Sequence, residues 1–177
     1  MKDLVEQLLF LARGDSNRIN MLVERVELSS LVEEVVNESR LIDDRHEFKI
    51  NCSKVAVTAD RGLLKQALRI LVDNAIKYTD KGGEITISAV AEGETARLSV
   101  SDSGIGIKPE ILPNVFDRFV RADESRTRAT GGAGLGLSIA QWITTRHNGH
   151  MEVISREGIG TKITLILPIP IEQTADS

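Results

Sequence analysis

The sequence predicts an α/β fold, a two-layer sandwich in which helices cover one face of a mixed β-sheet. Alternating polar and apolar residues mark several short strands, and apolar residues three and four apart mark helices between them. These strands and helices do not follow a regular βαβ order, which argues against a wholly parallel sheet. The chain has 177 residues, of which 41% are hydrophobic, enough for one substantial core.

Composition narrows the class of protein. The formal net charge of −4 gives no sign of nucleic-acid binding. The single cysteine, Cys52, excludes an internal disulfide and a cysteine-only metal site, and it fits a reducing compartment. No apolar run approaches the roughly 20 residues that span a bilayer. Lys2-Asp3 and Glu6-Gln7 interrupt what would be the apolar region of a signal peptide, so we expect a soluble, cytoplasmic chain.

The first predicted element is a helix over residues 2–13 that ends near Gly14-Asp15. One apolar series recurs along it and a second lies beside the first: Leu4, Leu8 and Leu11, then Val5, Leu9 and Ala12. Such a stripe has to pack on something. Two interpretations are open at this point, namely docking on the domain's own core or one half of a helical hairpin. Residues 15–20 are polar and are interpreted as a linker.

A strand is predicted over residues 21–26, followed by a helix. Ser30 and Glu33 form the pattern of a capping box at the start of that helix. Its apolar residues are Leu31, Val32, Val35 and Val36. Residues 47–52 alternate as a half-buried strand does, and residues 55–58 form another short strand.

Asp60 is predicted to cap the next helix. The residues at helical spacing that form its buried face are Leu64, Ala67, Leu68, Leu71, Val72 and Ala75. After a turn at Gly82-Gly83, residues 84–90 and 96–100 form a hairpin. The irregular stretch over residues 102–132 has the length of a functional loop. A helix over 134–147 and strands over 150–155 and 161–167 follow, and the tail after Pro170 is expected to be disordered.

Two glycine-rich segments bracket the long loop. They are Asp102-Ser103-Gly104-Ile105-Gly106 and Gly132-Ala133-Gly134-Leu135-Gly136-Leu137. Glycines let the backbone approach a ligand closely, and unpaired amides at a helix start attract phosphate. Neither segment is the dinucleotide fingerprint and no Walker sequence occurs, which argues against Rossmann and P-loop sites.

One face of the helix that follows Asp60 carries three polar or aromatic residues. Asn74, Lys77 and Tyr78 share this face through their spacing of three and four. An amide oxygen, a cation and a flat ring suit Mg²⁺, a phosphate and a base. The alternative is an ordinary polar helix end, with Lys77 stabilised by the helix dipole.

Five motifs occur in one order along the chain. They are Asn74-Ala-x-Lys77-Tyr78, Asp102-x-Gly104-x-Gly106, Phe116-Asp117-Arg118-Phe119, Gly132-x-Gly134-Leu-Gly136-Leu and Gly158-x-Gly160-Thr161. Together they resemble the N, G1, F, G2 and G3 boxes of the catalytic domain of bacterial sensor histidine kinases, in the Bergerat (GHKL) ATPase superfamily. The resemblance covers about residues 26–168 and implies a Bergerat fold that binds ATP and Mg²⁺ beneath a long lid.

The resemblance implies a role for each motif residue. Asn74 would ligate Mg²⁺, Lys77 and Arg121 would contact the phosphates as catalytic residues, and Asp102 would accept a hydrogen bond from the adenine amino group. The remaining nucleotide-binding residues would be Tyr78, Gly104, Gly106, Ile107, Gly132, Gly134, Leu135, Gly136, Leu137 and Thr161. Residues 108–130 would form the ATP lid, which Phe116 and Phe119 would anchor.

The same residues also have purely structural interpretations. Asp102 follows a strand and could cap a turn, and the two phenylalanines could be plain core residues. Four arginines, Arg118, Arg121, Arg126 and Arg128, alternate with acidic residues, as on a solvated face, and the resemblance singles out only Arg121 among them. Trp142 lies in mid-helix and is interpreted as a packing residue.

The chain departs from the resembling family at Ile70, where those kinases commonly carry a second asparagine. This puts part of the Mg²⁺ shell in doubt and keeps a transfer-incompetent nucleotide-binding module open as an alternative function. It also argues against a hydrolase of the gyrase or Hsp90 type, which places a glutamate base at that turn. A serine kinase of the anti-sigma type, a further alternative, is disfavoured by the N-terminal helix.

None of the histidines, His46, His147 and His150, lies in the sequence context of the family's phosphoacceptor. The interpretation that follows is a fragment of a larger histidine kinase. Residues 1–18 would be the end of the dimerisation and phosphoacceptor hairpin with a linker, 19–170 the catalytic domain and 171–177 a tail. The implied partners are the acceptor-histidine domain of the same kinase and a response regulator. The parent protein would be a homodimer through the missing hairpin, with an inner-membrane anchor as one possibility.

Overall fold

The computed structural model describes residues 2–121 and 134–170. Within this part of the chain the strands form two β-sheets. In the smaller sheet, β1 (Val23–Glu27) pairs antiparallel with β3 (Ala56–Asp60). The larger sheet has the spatial order β2 (Glu47–Cys52), β4 (Glu84–Glu92), β5 (Thr95–Asp102), β7 (Gly160–Pro168) and β6 (His150–Arg156). Strands β2 and β4 are parallel, whereas the other neighbours are antiparallel, so the prediction of a mixed sheet is confirmed.

Helices pack on the larger sheet and enclose the apolar core. The helices are α1 (Lys2–Asp15), α2 (Leu28–Ile42), α3 (Arg61–Tyr78) and α4 (Gly136–Arg146), and Leu112–Asn114 form a 3₁₀ turn. Helix α2 contacts β2 and β4, α3 contacts β4 and β5, and α4 contacts β6 and β7. Among these described helices none is long and apolar enough to cross a membrane.

Helix α3 follows the sequence prediction closely. The Asp60 side chain caps it by accepting a 3.0 Å hydrogen bond from the Leu63 N–H. The buried residues of the helix are the predicted ones: Leu64, Ala67, Leu68, Leu71, Val72 and Ala75. Because this face is fixed against the sheet and α4, the polar groups at Asn74 and Lys77 are held at the edge of the core.

The predicted capping box of α2 is wrong. The helix begins at Leu28, so Ser30 lies inside the first turn, and Glu27 at the N-cap makes no side-chain capping bond. Strand β1 runs directly into the helix, and the Leu28 N–H donates to the Val55 carbonyl at 3.0 Å. Leu28 is fully buried, so tertiary packing sets the start of the helix two residues before Ser30.

Helix α1 docks on α4 through only part of its predicted stripe. Leu11 is buried, and the Phe10 ring meets the Trp142 ring edge-on at a centroid distance of 5.2 Å. This contact confirms Trp142 as a packing residue. Leu8, placed by its spacing in the same series as Leu11, is 42% exposed. Val5 and Leu9, the neighbouring apolar residues, are also exposed, so one apolar face docks and another does not.

Candidate nucleotide-binding site

A pocket opens where α3, the ends of β5 and β7, and the start of α4 meet. Its walls include residues from four of the five motifs. The sequence-predicted members that line it are Asn74, Lys77, Tyr78, Asp102, Gly106, Ile107, Arg121, Gly134, Leu135, Gly136, Leu137 and Thr161. Gly104 lies behind this wall, and Gly132 falls outside the described residues. The tertiary structure therefore brings together residues that are far apart in sequence.

Asp102 lines the pocket from the last position of β5. Its Oδ1 accepts a 2.9 Å hydrogen bond from the Gly104 N–H. Burial raises the pKa of the Asp102 carboxyl, although hydrogen bonds from the Gly104 and Thr161 amides act in the opposite direction. A half-buried carboxylate that is held in place by main-chain donors is suited to accept a hydrogen bond from a ligand.

Glycines around Asp102 allow three main-chain segments to pass within contact distance. A Cβ on Gly106 would lie 2.2 Å from the Arg156 carbonyl oxygen, and one on Gly104 would lie 2.3 Å from that of Tyr78. The Ile107 N–H donates to Ser155 Oγ at 2.8 Å, and Ser155 Oγ lies 2.8 Å from Thr161 Oγ1. The G1 loop is thereby held against the β6–β7 turn.

Asn74, Lys77 and Tyr78 occupy the wall that α3 provides. Burial lowers the pKa of the Lys77 ammonium, and the positive charge of Arg121 lowers it further. The ammonium lies 5.3 Å from the centroid of the Tyr78 ring. Because burial and a nearby positive charge both disfavour the charged form of Lys77, an anion bound beside Lys77 would be stabilising.

The first turn of α4 forms the facing wall. Leu135 at its N-cap has an apolar side chain and makes no capping bond to the amides of this turn. Such amides attract phosphate. Gly136 lies against Ile70 of α3, where an added Cβ would be 3.1 Å from Ile70 Cγ2. The residue that departs from the family pattern is therefore itself part of the pocket wall.

The expectation that both Phe116 and Phe119 anchor the lid is only half right. Phe116 packs against the core, but Phe119 is 59% exposed and has a φ of 67°. Its main chain makes the contact instead, because the Phe119 N–H donates to the Gly134 carbonyl at 2.9 Å. Arg118 pairs with Asp15 of α1 at 3.0 Å. Arg126 and Arg128 lie outside the described residues.

Sequence reasoning missed Gln7, which lines the same pocket from α1. The only sequence signal for Gln7 was its helical spacing, three residues before Phe10 and four before Leu11, which places it on the face of α1 that docks on α4. His46 and His147 are held in internal networks, with the His46 ring between Asp43 Oδ2 at 2.5 Å and the Thr79 carbonyl at 2.7 Å. His150 begins β6 and is exposed.

The family is decided by a comparison with known protein families. Residues 59–171 match the family of histidine kinase-, DNA gyrase B- and HSP90-like ATPases. The chain belongs to this ATPase family. The family confirms the fold class inferred from the five motifs, and the matched range contains every residue that lines the pocket except Gln7.

Within this ATPase family, the similar curated proteins are sensor histidine kinases. The chain is 36% identical over 178 residues to the sensor-like histidine kinase SenX3 of Mycobacterium tuberculosis, covering 98% of this chain and 43% of SenX3. It is 40% identical over 171 residues to the sensor histidine kinase YkoH of Bacillus subtilis, covering 93% of this chain and 36% of YkoH. The chain thus spans less than half the length of these curated relatives.

Solved structures agree with this assignment. The catalytic domain of histidine kinase ThkA has a TM-score of 0.72 and 31% identity, over 85% of this chain and all of ThkA's. Full-length ShkA, solved in complex with AMPPNP, has a TM-score of 0.81 and 28% identity, over 94% of this chain and 35% of ShkA's. The protein is a nucleotide-binding ATPase domain of the sensor histidine kinase type. The anti-sigma serine kinase and the binding-only module are not favoured.

Proposed function

We propose that this domain binds Mg·ATP in the pocket and transfers the γ-phosphoryl group to a histidine on a separate dimerisation domain. The observation that carries the proposal is the polarity of the pocket. A half-buried carboxylate, Asp102, lines the same pocket as Asn74, Lys77, Arg121 and the first turn of α4. A nucleotide has the matching arrangement, a base with an amino group and a chain of phosphates.

Different residues of the pocket would bind different parts of ATP. Asp102 would accept a hydrogen bond from the adenine amino group, and Gly106 and Ile107 would lie along the base. Lys77 and Arg121 would neutralise phosphate oxygens, and the first turn of α4 would donate its amides to them. Tyr78 and Thr161 would border the base and ribose, and Leu135 and Leu137 would close the apolar side.

The donor set around Asn74 fits Mg²⁺. Within residues 2–121 and 134–170, no cluster of three or more histidine, cysteine, aspartate or glutamate side chains could hold a metal by itself. Mg²⁺ commonly takes one or two protein oxygens and completes its shell with substrate phosphates and water. Asn74 would therefore be the protein ligand, and the ion would neutralise charge on the phosphates when bound.

The reaction requires positioning rather than covalent catalysis by this chain. An imidazole nitrogen of the acceptor histidine attacks the γ-phosphorus, the bond to the β–γ bridging oxygen breaks, and ADP leaves. The domain would contribute by aligning the phosphates and stabilising their charge. The phosphohistidine would then supply a response regulator.

The same proposal assigns the domain boundaries. Residues 1–18 would belong to the helix that connects the domain to its acceptor, 19–170 to the catalytic domain and 171–177 to a tail. The exposed apolar residues Val5, Leu8 and Leu9 support this, because they form a face that a second hairpin helix could cover. We place the domain in the cytoplasm, within a homodimeric parent whose anchor would be the inner membrane.

A transfer assay with separated components tests the proposal. The chain is mixed with ATP labelled at the γ-phosphate and with an acceptor hairpin from the same kinase, with and without Mg²⁺. Label on the hairpin, and its loss in Asn74→Ala, are the expected results. The matched control is Asn37→Ala, because Asn37 is an exposed residue of α2. ATP binding without transfer to the hairpin would contradict the kinase assignment, and no ATP binding at all would contradict the nucleotide site.

A further inference from the structure

Gln7 is the one residue of the pocket wall that comes from outside the matched ATPase range. Every other described residue of the wall lies between Ile70 and Ile163, whereas Gln7 lies on α1. It is half-buried there, although most of its polar neighbours on α1 are exposed. A polar side chain in this position loses water and therefore needs a hydrogen-bond partner.

The docked face of α1 fixes the position of Gln7. Residues at helical spacing from it make the contacts with α4: Phe10 meets Trp142, Leu11 is buried, and Gly14 lies against Trp142. A Cβ on Gly14 would be only 2.7 Å from Trp142 Cε2. One turn further, Asp15 pairs with Arg118. Gln7 is thus a polar residue in a face that is otherwise held by close apolar packing.

The neighbours of Gln7 place it beside α3, close to the turn that precedes Asn74. It lines a second groove together with Gln66 of α3, and it lines the nucleotide pocket together with Ile70. Gln66, Ile70 and Asn74 follow one another at single turns along α3. Gln7 therefore lies beside the turn that precedes Asn74. Ile70 offers no polar atom at that level, whereas Asp102 lies on a different element, at the last position of β5.

We propose that Gln7 binds the terminal phosphates of the nucleotide by donating a side-chain N–H to a phosphoryl oxygen. This inference rests on the proposed nucleotide site. Phosphate oxygens only accept hydrogen bonds, so the amide nitrogen of Gln7 is the part that they can use. Binding at the pocket and docking of α1 are then linked, and each stabilises the other by the same factor.

Three variants and two nucleotides test the role of Gln7. The affinity of the whole chain for Mg·ATP and for AMP is measured by titration calorimetry in wild type, Gln7→Ala, Gln7→Glu and Gln141→Ala. Gln141 is a matched control because it is an exposed glutamine of α4 that does not line the pocket. We expect Gln7→Ala to weaken ATP binding by about tenfold, which is the effect of one hydrogen bond to a charged group. Gln7→Glu should weaken ATP binding further, because its carboxylate repels the phosphates. The affinity for AMP should stay the same in all variants, and Gln141→Ala should bind ATP as wild type does.

A structural readout separates binding from packing. Trp142 is the only tryptophan of the chain and packs on Phe10 and Gly14, so its fluorescence reports whether α1 is docked. Gln7→Ala should keep the wild-type emission, whereas Phe10→Ala should shift it. Equal losses for ATP and AMP, or unchanged ATP affinity in Gln7→Ala, would overturn the role of Gln7. If wild type bound neither nucleotide, the proposed function would fail first, and the role of Gln7 with it.

Discussion

The main-chain N–H of Asp60 donates a hydrogen bond of 3.0 Å to Nε2 of His147. The other ring nitrogen, Nδ1, lies 2.7 Å from the Ile143 carbonyl oxygen, which can only accept. The His147 ring is therefore neutral, with its proton on Nδ1. Because Asp60 caps α3 and His147 ends α4, this one side chain joins the two helices that carry Asn74 and Gly136.

Replacing His147 should destabilise the domain. In His147→Phe the partly buried Asp60 N–H loses its acceptor, so we expect the free energy of unfolding to fall by about 1–3 kcal/mol. Urea denaturation followed by circular dichroism measures the change. His150→Phe is the matched control, because the His150 side chain is 66% exposed. Equal urea midpoints for His147→Phe and His150→Phe would show that the hydrogen bond between Asp60 and His147 contributes nothing to stability.

Gly106 should be intolerant of a side chain for reasons that Gly93 does not share. Both have positive φ values, 71° and 61°, so alanine strains the backbone at either position. At Gly106 the added Cβ would also lie 2.2 Å from the Arg156 carbonyl oxygen, whereas at Gly93 it meets nothing within 4 Å. We expect Gly93→Ala to cost about 1 kcal/mol of stability and no affinity.

Gly106→Ala should weaken nucleotide binding by at least about tenfold, because the G1 loop has to move away from β6. Titration with ATP measures the affinity of both variants. Normal binding by Gly106→Ala would mean that the close approach of the loop to Arg156 does not shape the pocket.

Asp102→Asn should reduce discrimination between ATP and GTP. In the proposed complex the carboxylate would accept from the adenine amino group, whereas guanine carries an acceptor at that position, so the variant should lose at least about tenfold in ATP affinity. The ratio of ATP to GTP affinities is the measurement. Burial raises the pKa of Asp102, which means that folding disfavours the charged carboxylate. Without nucleotide, Asp102→Asn should therefore be no less stable than wild type at neutral pH. The control is Asp44→Asn, at an exposed position. An unchanged ratio would remove Asp102 from base recognition.

The contact between α2 and α3 should weaken in acid. Hydrogen bonds from Lys65 and then Arg61 lower the pKa of Glu34 to about 2. Because the folded pKa is depressed, this stabilisation is present above the ordinary value near 4.5 and is lost as the pH falls toward 2. Glu34→Gln should therefore be less stable than wild type at pH about 7, and the gap should narrow below pH 4.5 and close toward pH about 2.

Urea midpoints at several pH values measure that gap. Glu33→Gln, at the exposed neighbouring position, should show no such convergence. A gap between Glu34→Gln and wild type that stays constant with pH would argue against the ion pair as its source.

Local patterns predicted much of the fold. The buried face of α3 was predicted residue by residue because each apolar side chain lies on one face of a regular helix. The capping box at Ser30 was wrong because the start of α2 depends on Val55, a residue 27 positions away, whose carbonyl accepts a hydrogen bond from the Leu28 N–H. Phe119 was expected to bury its ring, but its left-handed backbone turns the main chain, and not the side chain, toward Gly134.

The sequence by itself determined the family, the order of the motifs and the chemical types of the residues that line the pocket. These depend on residue types and on short-range spacing, which a chain carries before it folds. Only the tertiary structure decided that Gln7 joins Asn74 at the pocket and that His147 ties α3 to α4. Such pairs are far apart in sequence, and their contacts depend on how the helices pack.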